Sequence, residues 1–199
     1  MIAESDAAGL HAIVLAAGAS TRFGSAKQLV RIGHRPLLSL VAGRAAEVVG
    51  QALTVVLGAR AAELSPLLKH SPCSVVVNRD WREGLASSIR AGIARLPPSC
   101  TGVMLVLADQ VSVTAEDLRR LAVTWRRQPL CVVAAAYGAT TGAPAIFPQY
   151  LFGELSELKG DSGARLLLRR HADRLVKVPM ASAAFDLDTP ADLLELSRS

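Results

Sequence analysis

A loop of small residues with two nearby cations follows the first apolar segment of the chain. Residues 15–27 read LAAGASTRFGSAK, which places Arg22 and Lys27 at fixed spacing from Gly18 and Gly24. Small side chains let backbone N–H groups approach an anion, and the cations add charge. The loop differs from both G-x-G-x-x-G and G-x-x-x-x-G-K-[ST], since Lys27 lies three residues after Gly24. It predicts an anion-binding site, and a generic glycine turn with surface cations is the alternative.

Acidic residues mark two further places where chemistry could occur. Asp109 comes directly after the apolar run 103–108, and carboxylate oxygens are the ligands that hold Mg²⁺ against phosphates. Asp186 and Asp188 lie at alternate positions of a predicted short strand, so we expect their side chains to point the same way. The alternative for both is capping of the helix that Pro190 begins.

The elements that must position these residues alternate along the chain. Predicted strands are near-continuous in apolar residues, as strands buried on both faces should be, and helical segments separate them. The strands are 11–17, 52–57, 73–77, 103–108 and 131–136, and the helices are 36–49, 59–69, 85–96 and 114–127. This order predicts an α/β fold with a mainly parallel sheet, in which ligands bind beyond the carboxyl ends of the strands.

The rhythm changes after Tyr137. We predict a loop at 138–142, a short strand at 145–147, a helix at 162–171, late strands at 175–178 and 185–187, and a last helix from Pro190. No repeat, low-complexity tract or linker interrupts the sequence. Residues 1–199 are therefore predicted to form a single domain.

Composition excludes several classes of protein. Hydrophobic residues make up 51% and charged residues 20% of the 199 residues, which excludes a disordered chain. No apolar run approaches the roughly 20 residues of a membrane span, and no basic n-region precedes the first strand, so we expect a cytoplasmic protein without membrane contact. The net charge of +5 comes without a basic block, which argues against nucleic acid as a partner.

Four blocks in order give the sequence a resemblance to a known family. They are LAAGASTRFGSAKQL at 15–29, NRDWREGLASSI at 78–89, GDSGAR at 160–165 and DLDTP at 186–190. Together they resemble the nucleotidyltransferases of the MobA and MocA type, which attach a nucleotide to the molybdenum–pterin cofactor. The second block, of the form N-x-x-W-x-x-G-[LM]-x-S-S-[LI], and the third are most similar to the cytidylyltransferase branch.

The resemblance implies a Rossmann-like, three-layer α/β/α nucleotidyltransferase fold of the GT-A-like kind, with roles for particular residues. Those implied to line the nucleotide, its base or its ribose are Leu15, Ala16, Ala17, Gly18, Ser20, Gly84, Ser87 and Ser88. Those implied to be catalytic are Arg22 and Lys27, on the triphosphate, and Asp109, on Mg²⁺ or Mn²⁺. Asp188 is implied as the second metal ligand, with Asp186 a weaker candidate. Those implied to face the acceptor are Gly142, Pro144, Asp161, Gly163 and Arg165.

The reaction implied is transfer of CMP from CTP to the phosphate of the molybdenum–pterin cofactor, with release of pyrophosphate. A phosphate monoester is already ionised at neutral pH, so no general base is needed, which agrees with the lack of histidine in the four blocks. Ala17 stands where the guanylyl branch typically has a second glycine, which favours CTP over GTP. The resemblance also allows a transient contact with a molybdoenzyme or its chaperone.

Two departures from the family pattern keep alternatives open. Asp109 is followed by Gln110-Val111 where the family usually has x-Pro, and Ala143 stands where this branch often has His or Asn. The second departure removes a polar contact and leaves the acceptor's identity open. Use of GTP, another phosphorylated acceptor, and a non-catalytic carrier of the molybdenum cofactor are the alternatives. A nicotinamide-dependent dehydrogenase is set aside because G-x-G-x-x-G is missing.

Overall fold

Seven strands form one mixed sheet in the computed structural model, which describes residues 9–20, 23–161 and 163–196. The strands are β1 (Leu10–Ala16), β4 (Leu53–Leu57), β5 (Ser74–Val77), β6 (Gly102–Leu107), β7 (Val132–Tyr137), β8 (Thr140–Pro148) and β9 (Leu175–Pro179). Their order across the sheet is β5-β4-β1-β6-β8-β7-β9. β8 runs antiparallel to β6 and β7, and the remaining neighbours are parallel. A separate two-stranded ribbon consists of β2 (Arg31–Ile32) and β3 (Arg35–Pro36).

Helices cover both faces of the sheet. They are α1 (Leu37–Val49), α2 (Ala61–Leu64), α3 (Leu85–Ile93), α4 (Ala115–Arg127), α5 (Phe152–Ser156), α6 (Arg165–Arg170) and α7 (Pro190–Leu196). Alternate residues of β1 enter two different cores, because successive side chains of a strand point to opposite faces. Val14 packs with α1 and α4 in one core, and Ile13 packs with α3, α5 and α6 in the other. The predicted three-layer α/β/α architecture with a mainly parallel sheet is confirmed.

β8 is longer than the sequence analysis predicted. Only Gly138 and Ala139 form the turn after β7, and the strand covers most of the segment predicted as a loop. The apolar signal there is weak, because Thr140, Thr141 and Gly142 carry small or polar side chains. β8 lies between β6 and β7, and pairing on both sides satisfies its backbone groups whatever its side chains are.

The strand predicted at 185–187 is wrong. Residues 185–188 have irregular backbone, and the backbone N–H of Leu187 donates to the carbonyl of Asp109 over 3.0 Å. Asp186 and Asp188 therefore do not alternate along a strand, although both residues lie beside Asp109 for a different reason. After β9 the chain crosses the end of β6, and this brings both residues next to Asp109.

Three other expectations are corrected. β5 was predicted to be buried on both faces, but it lies at the sheet edge, with Val75 37% and Val77 53% exposed. The helix predicted at 59–69 divides into α2 and a 3₁₀ segment, Ser65–Leu68. Pro66 explains the division, because proline lacks the N–H that an α-helix needs and its ring clashes with the preceding turn. The helix predicted at 162–171 is shorter, as α6.

The helices of the described segments include no candidate for a membrane span, because none is both long and apolar enough.

Replacing two helical glycines by alanine is predicted to change the free energy of unfolding in opposite directions. A Cβ added to Gly92 in α3 would lie 2.8 Å from Ile13 Cγ2 and 3.3 Å from Val56 Cγ2, whereas one at Gly43 in α1 would meet only Arg35 Nη1 at 3.9 Å. We expect Gly92→Ala to destabilise the fold by about 1–3 kcal/mol through overpacking. Gly43→Ala should stabilise it by up to about 1 kcal/mol through helix propensity. Urea unfolding of both variants checks this, and a stabilised Gly92→Ala would contradict the close packing of α3 on the sheet.

Candidate functional site

A cavity of about 730 Å³ opens at the carboxyl ends of β1 and β6. Residues predicted to bind the nucleotide or the metal that line it are Leu15, Ala16, Ala17, Gly18, Ser20, Lys27, Gly84, Ser88, Asp109 and Asp188. Arg22 lies outside the described residues, and Ser87 is not part of the lining. All four sequence blocks therefore contribute residues to this cavity, and the block at 160–165 contributes Asp161.

Gln28 holds the loop after β1. Its side chain is 2% exposed, its amide group donates to the carbonyl of Gly18 over 3.2 Å, and its Oε1 accepts from the Ser20 hydroxyl over 3.1 Å. Ser20 has a φ of 55°, in the left-handed region that residues other than glycine rarely adopt. The hydrogen bond from its hydroxyl helps to stabilise this conformation. Gln28 was not among the predicted site residues, although it follows Lys27 directly in the first block.

Lys27 contacts two carboxylates from distant parts of the chain. Its Nζ lies 2.7 Å from Asp109 Oδ2 and 2.9 Å from Asp188 Oδ1. Burial of the ammonium acts to lower its pKa, but the two carboxylates outweigh burial and raise the pKa of Lys27 above its ordinary value. Lys27 is therefore charged at neutral pH, and it neutralises part of the charge of the acidic pair.

The acidic pair has the chemistry that a divalent cation requires. Asp109 Oδ1 is buried, and no hydrogen-bond partner is found for it among the described residues. Hard oxygen donors of this kind suit Mg²⁺ and Mn²⁺. In the parts of the chain that the structure describes, no group of three or more His, Cys, Asp or Glu residues is arranged to hold a metal. Asp109 and Asp188 would therefore share an ion with ligand phosphates or water, as is usual for Mg²⁺.

Asp186 lies beside the same cluster but in a second cavity. Desolvation, followed by the negative charges of Asp109 and Asp188, raises the pKa of Asp186 to about 6. The positive charges of Lys27 and Arg165 act in the opposite direction without cancelling this effect. Asp188, by contrast, contacts Lys27 directly.

Asn78 organises the two predicted serines. Its side chain, 5% exposed, donates through Nδ2 to the hydroxyls of Ser87 (2.8 Å) and Ser88 (3.0 Å). The Ser87 hydroxyl in turn donates to the carbonyl of Gly84 over 2.8 Å. Ser87 therefore holds the start of α3, while Ser88 also lines the first cavity.

Two glycines allow loops to approach each other closely around this cavity. Gly84 has a φ of 102°, and a Cβ there would lie 2.2 Å from Asp161 Oδ1. Gly58, after β4, would place a Cβ 2.5 Å from the carbonyl oxygen of Ala17 and 2.8 Å from Trp81 Cβ. Gly84 was predicted as a site residue, whereas Gly58 was missed because an isolated glycine after a strand has no distinctive spacing.

An aromatic residue with a stacked cation forms another part of the wall. The Arg82 guanidinium lies over the Trp81 ring, 4.5 Å from its centroid, and both residues line the first cavity. Such a cation–π pair is favourable and places an aromatic ring and a positive charge together in the wall. Trp81 belongs to the second sequence block, but its side chain was not among the predicted site residues.

The second cavity, of about 290 Å³, adjoins the first through Leu15, Leu85, Leu107 and Asp161. Of the residues predicted to face the acceptor, Gly142, Asp161, Gly163 and Arg165 line it, and Pro144 does not. Its walls are largely apolar, with Ile89, Leu105, Phe147 and Leu168 among them, and its polar groups include Tyr137, Asp161, Arg165 and Asp186. This composition suits a flat ring system with polar substituents.

The residue between Asp109 and Val111 contacts Ala143, the second departure from the family pattern. Gln110, 1% exposed, donates through Nε2 to the carbonyl of Ala143 over 3.0 Å and to that of Ala183 over 3.1 Å. The residue after Asp109 thus holds the backbone of β8 at the second cavity. It also holds the segment that leads to Asp186 and Asp188.

No histidine among the described residues lines either cavity. His11 Nε2 lies 2.9 Å from Thr54 Oγ1, and His171 Nε2 lies 2.9 Å from Glu154 Oε1. These contacts lie outside the cavities and are structural.

Comparison with known proteins identifies a family and several relatives. The MobA-like NTP transferase domain matches residues 12–175. Nicotine blue oxidoreductase of Paenarthrobacter nicotinovorans is 29% identical over 209 aligned positions, which cover 97% of this chain and 98% of that protein.

Solved structures agree with the fold. Rv0371c of Mycobacterium tuberculosis H37Rv, in complex with manganese, has a TM-score of 0.74 and 30% identity, covering 96% of this chain and 98% of that one. Molybdopterin-guanine dinucleotide biosynthesis protein A from Archaeoglobus fulgidus has a TM-score of 0.71 and 16% identity, covering 95% and 100%. At that identity the second similarity concerns the fold alone.

The raised pKa of Asp186 predicts a pH-dependent effect on the stability of metal-free protein. A carboxyl whose pKa is higher in the folded than in the unfolded chain stabilises the fold at low pH, and this contribution is lost as the pH rises through about 6. Asp186→Asn should therefore raise the thermal midpoint more at pH 8 than at pH 4, measured with a chelator present. The exposed Asp173→Asn is the control, and equal effects of Asp186→Asn at both pH values would contradict the prediction.

Proposed function

The chain belongs to the family of MobA-like NTP transferase domains, and from that membership we propose that it transfers CMP from CTP to the phosphate of the molybdenum–pterin cofactor, with Mg²⁺ as the metal. One observation carries the proposal. The cluster of Lys27, Asp109 and Asp188 lies on the same cavity as the small-residue loop after β1. Cations, a metal-binding acidic pair and an anion-binding loop are what nucleotidyl transfer requires.

The reaction proceeds by in-line displacement at the α-phosphorus. An oxygen of the acceptor phosphate forms a bond to the α-phosphorus, the bond from that phosphorus to the β-phosphate oxygen breaks, and pyrophosphate leaves. The acceptor phosphate has a second pKa near about 6, so it attacks as an anion without a protein base. This agrees with the absence of histidine from the described cavity linings.

The residues of the chain orient the reactants and compensate charge. The loop from Leu15 to Ser20 holds the nucleotide, and Lys27 stabilises the negative charge of the triphosphate. Asp109 and Asp188 would hold Mg²⁺, which when bound supplies further neutralisation of phosphate charge. Positioning and charge neutralisation together account for catalysis of this type.

The second cavity supports a ring-bearing acceptor. Its apolar walls suit the faces of a pterin, while Arg165 and Asp161 lie where polar substituents would need partners. The choice of CTP rests on Ala17 and on the second and third sequence blocks. GTP, or a different phosphorylated acceptor, would keep the same reaction and change only its substrates.

Oxidoreduction is the second candidate, because the relative that is 29% identical over nearly its full length is named as an oxidoreductase. The acidic pair with its lysine favours nucleotidyl transfer over this alternative, since hydride transfer has no need of a metal-binding pair beside a cation. A carrier of a nucleotide-bearing pterin is the third, and pyrophosphate release distinguishes it from an enzyme.

Nucleotide binding is predicted to raise the thermal stability of the protein. Ligand at about 100 times its Kd adds about 2.7 kcal/mol, which for a chain of this size raises the midpoint by roughly 5–11 °C. We expect this shift with CTP and Mg²⁺, a smaller one with GTP, ATP or UTP, and loss of the shift in Asp109→Asn. Asp173→Asn, at an exposed aspartate, is the matched control. A larger shift with GTP would correct the nucleotide, and no shift with any of the four would contradict the proposal.

Turnover is predicted to depend on Lys27. With CTP, Mg²⁺ and the molybdenum–pterin cofactor, pyrophosphate release should fall at least about 100-fold in Lys27→Ala, because a cation on the transferring phosphates is lost. The Lys69→Ala variant, at an exposed lysine, should keep wild-type turnover. Mass spectrometry should find the CMP adduct of the pterin. Binding of that adduct without pyrophosphate release would indicate the carrier.

A further inference from the structure

The ammonium of Lys27 has the contacts of a bound cation. It lies between Asp109 Oδ2 at 2.7 Å and Asp188 Oδ1 at 2.9 Å, and its side chain is only 15% exposed. The two carboxylates are 24% and 33% exposed, so solvent screens their mutual repulsion only in part. The ammonium is what allows these carboxylates to lie close together without a metal.

A divalent cation coordinated by the same two carboxylate oxygens excludes this ammonium. Mg²⁺ binds oxygen at about 2.0–2.1 Å, so an ion between Asp109 and Asp188 would lie within the region that the Lys27 ammonium occupies. Two cations at such a distance repel each other strongly in a partly buried site. The contacts of Lys27 must therefore break before an ion can bind between Oδ2 of Asp109 and Oδ1 of Asp188.

Asp109 shows that the ammonium does not use the whole site. Its second oxygen, Oδ1, is buried and has no hydrogen-bond partner among the residues described. A buried carboxylate oxygen without a partner is costly. A metal ion can take ligand oxygens from several directions, and it would satisfy this atom where the ammonium does not.

Lys27 has a place to move to. It lines the 730 Å³ cavity together with Gly18 and Ser20, and its flexible four-carbon stem lets the ammonium turn toward that loop. A polyphosphate held by the loop would replace the carboxylates as its anionic partner.

We propose that Lys27 occupies the place of the metal in the nucleotide-free protein, so that a divalent cation can bridge Asp109 and Asp188 only when Lys27 has left these carboxylates. The phosphates of a nucleotide give the displaced ammonium another anionic partner. This rests on the proposed function insofar as that function places a metal on these two carboxylates. Metal and nucleotide then bind cooperatively. The nucleotide draws Lys27 away from the carboxylates and the metal displaces Lys27 toward the nucleotide, so the metal alone binds weakly.

Manganese binding without nucleotide or acceptor tests the proposal. Free Mn²⁺ is measured by electron paramagnetic resonance in titrations of the wild type, Lys27→Met and Lys69→Met, the last being the same chemical change at an exposed lysine. We expect Lys27→Met to bind Mn²⁺ at least about tenfold more tightly than the wild type, because the competing cation is gone. Lys69→Met should bind as the wild type does. Equal or weaker binding by Lys27→Met would overturn the proposal.

A second measurement on the wild type does not depend on the folding of any variant. The chain has four lysines, at 27, 69, 159 and 177, so their ¹⁵Nζ signals can be followed individually by NMR. During titration with Mg²⁺ the Lys27 signal should shift in proportion to saturation while the other three stay in place. Saturation itself is followed by the thermal midpoint. A stabilising Mg²⁺ that leaves the Lys27 signal unchanged would overturn the proposal.

The outcomes separate this proposal from the proposed function. If Mn²⁺ binds the wild type and binds Lys27→Met no more tightly, the proposed role of Lys27 at the metal site fails and nucleotidyl transfer is unaffected. If neither protein binds Mn²⁺, with or without CTP, the metal site fails and both proposals fail with it.

Discussion

One ammonium group joins three parts of the chain that are far apart in sequence. Lys27 comes from the loop after β1, Asp109 from the end of β6, and Asp188 from the segment before α7. Two partly buried carboxylates would repel each other without it. The geometry of the first cavity depends on this charge balance, since each of the three residues lines it.

Two glycines are as important for the shape of the cavities as the charged residues are. Gly84 brings the start of α3 to within contact of Asp161, and Gly58 lets the end of β4 lie against Ala17 and Trp81. A methyl group at either position would collide with neighbouring atoms, so the loops could not close around one ligand volume. Buried amides then hold the loops in place, Gln28 for the loop after β1 and Asn78 for the start of α3.

The sequence was sufficient to predict the features that depend on a strong local pattern of apolar residues. The parallel strands, the first loop and Asp109 all follow from apolar runs and from what comes directly after them. The length of β8 and the lack of a strand around Asp186 could not be predicted, because pairing with neighbouring strands decides both. Gln28, Gln110 and Asn78 were missed for a similar reason. A polar residue becomes important when it is buried opposite the right carbonyl or hydroxyl, and spacing along the chain does not reveal that.

The side chain of Gln110 has a consequence for how such an enzyme can diverge. It fixes the carbonyl of Ala143 from within the protein, and the same amide fixes Ala183 ahead of the acidic segment. The backbone at the second cavity is thus secured independently of which side chain position 143 carries. Mutation at that position can change what the cavity accepts while the carboxylates and Lys27 keep their places. Substrate preference and catalytic machinery can in this way be inherited separately.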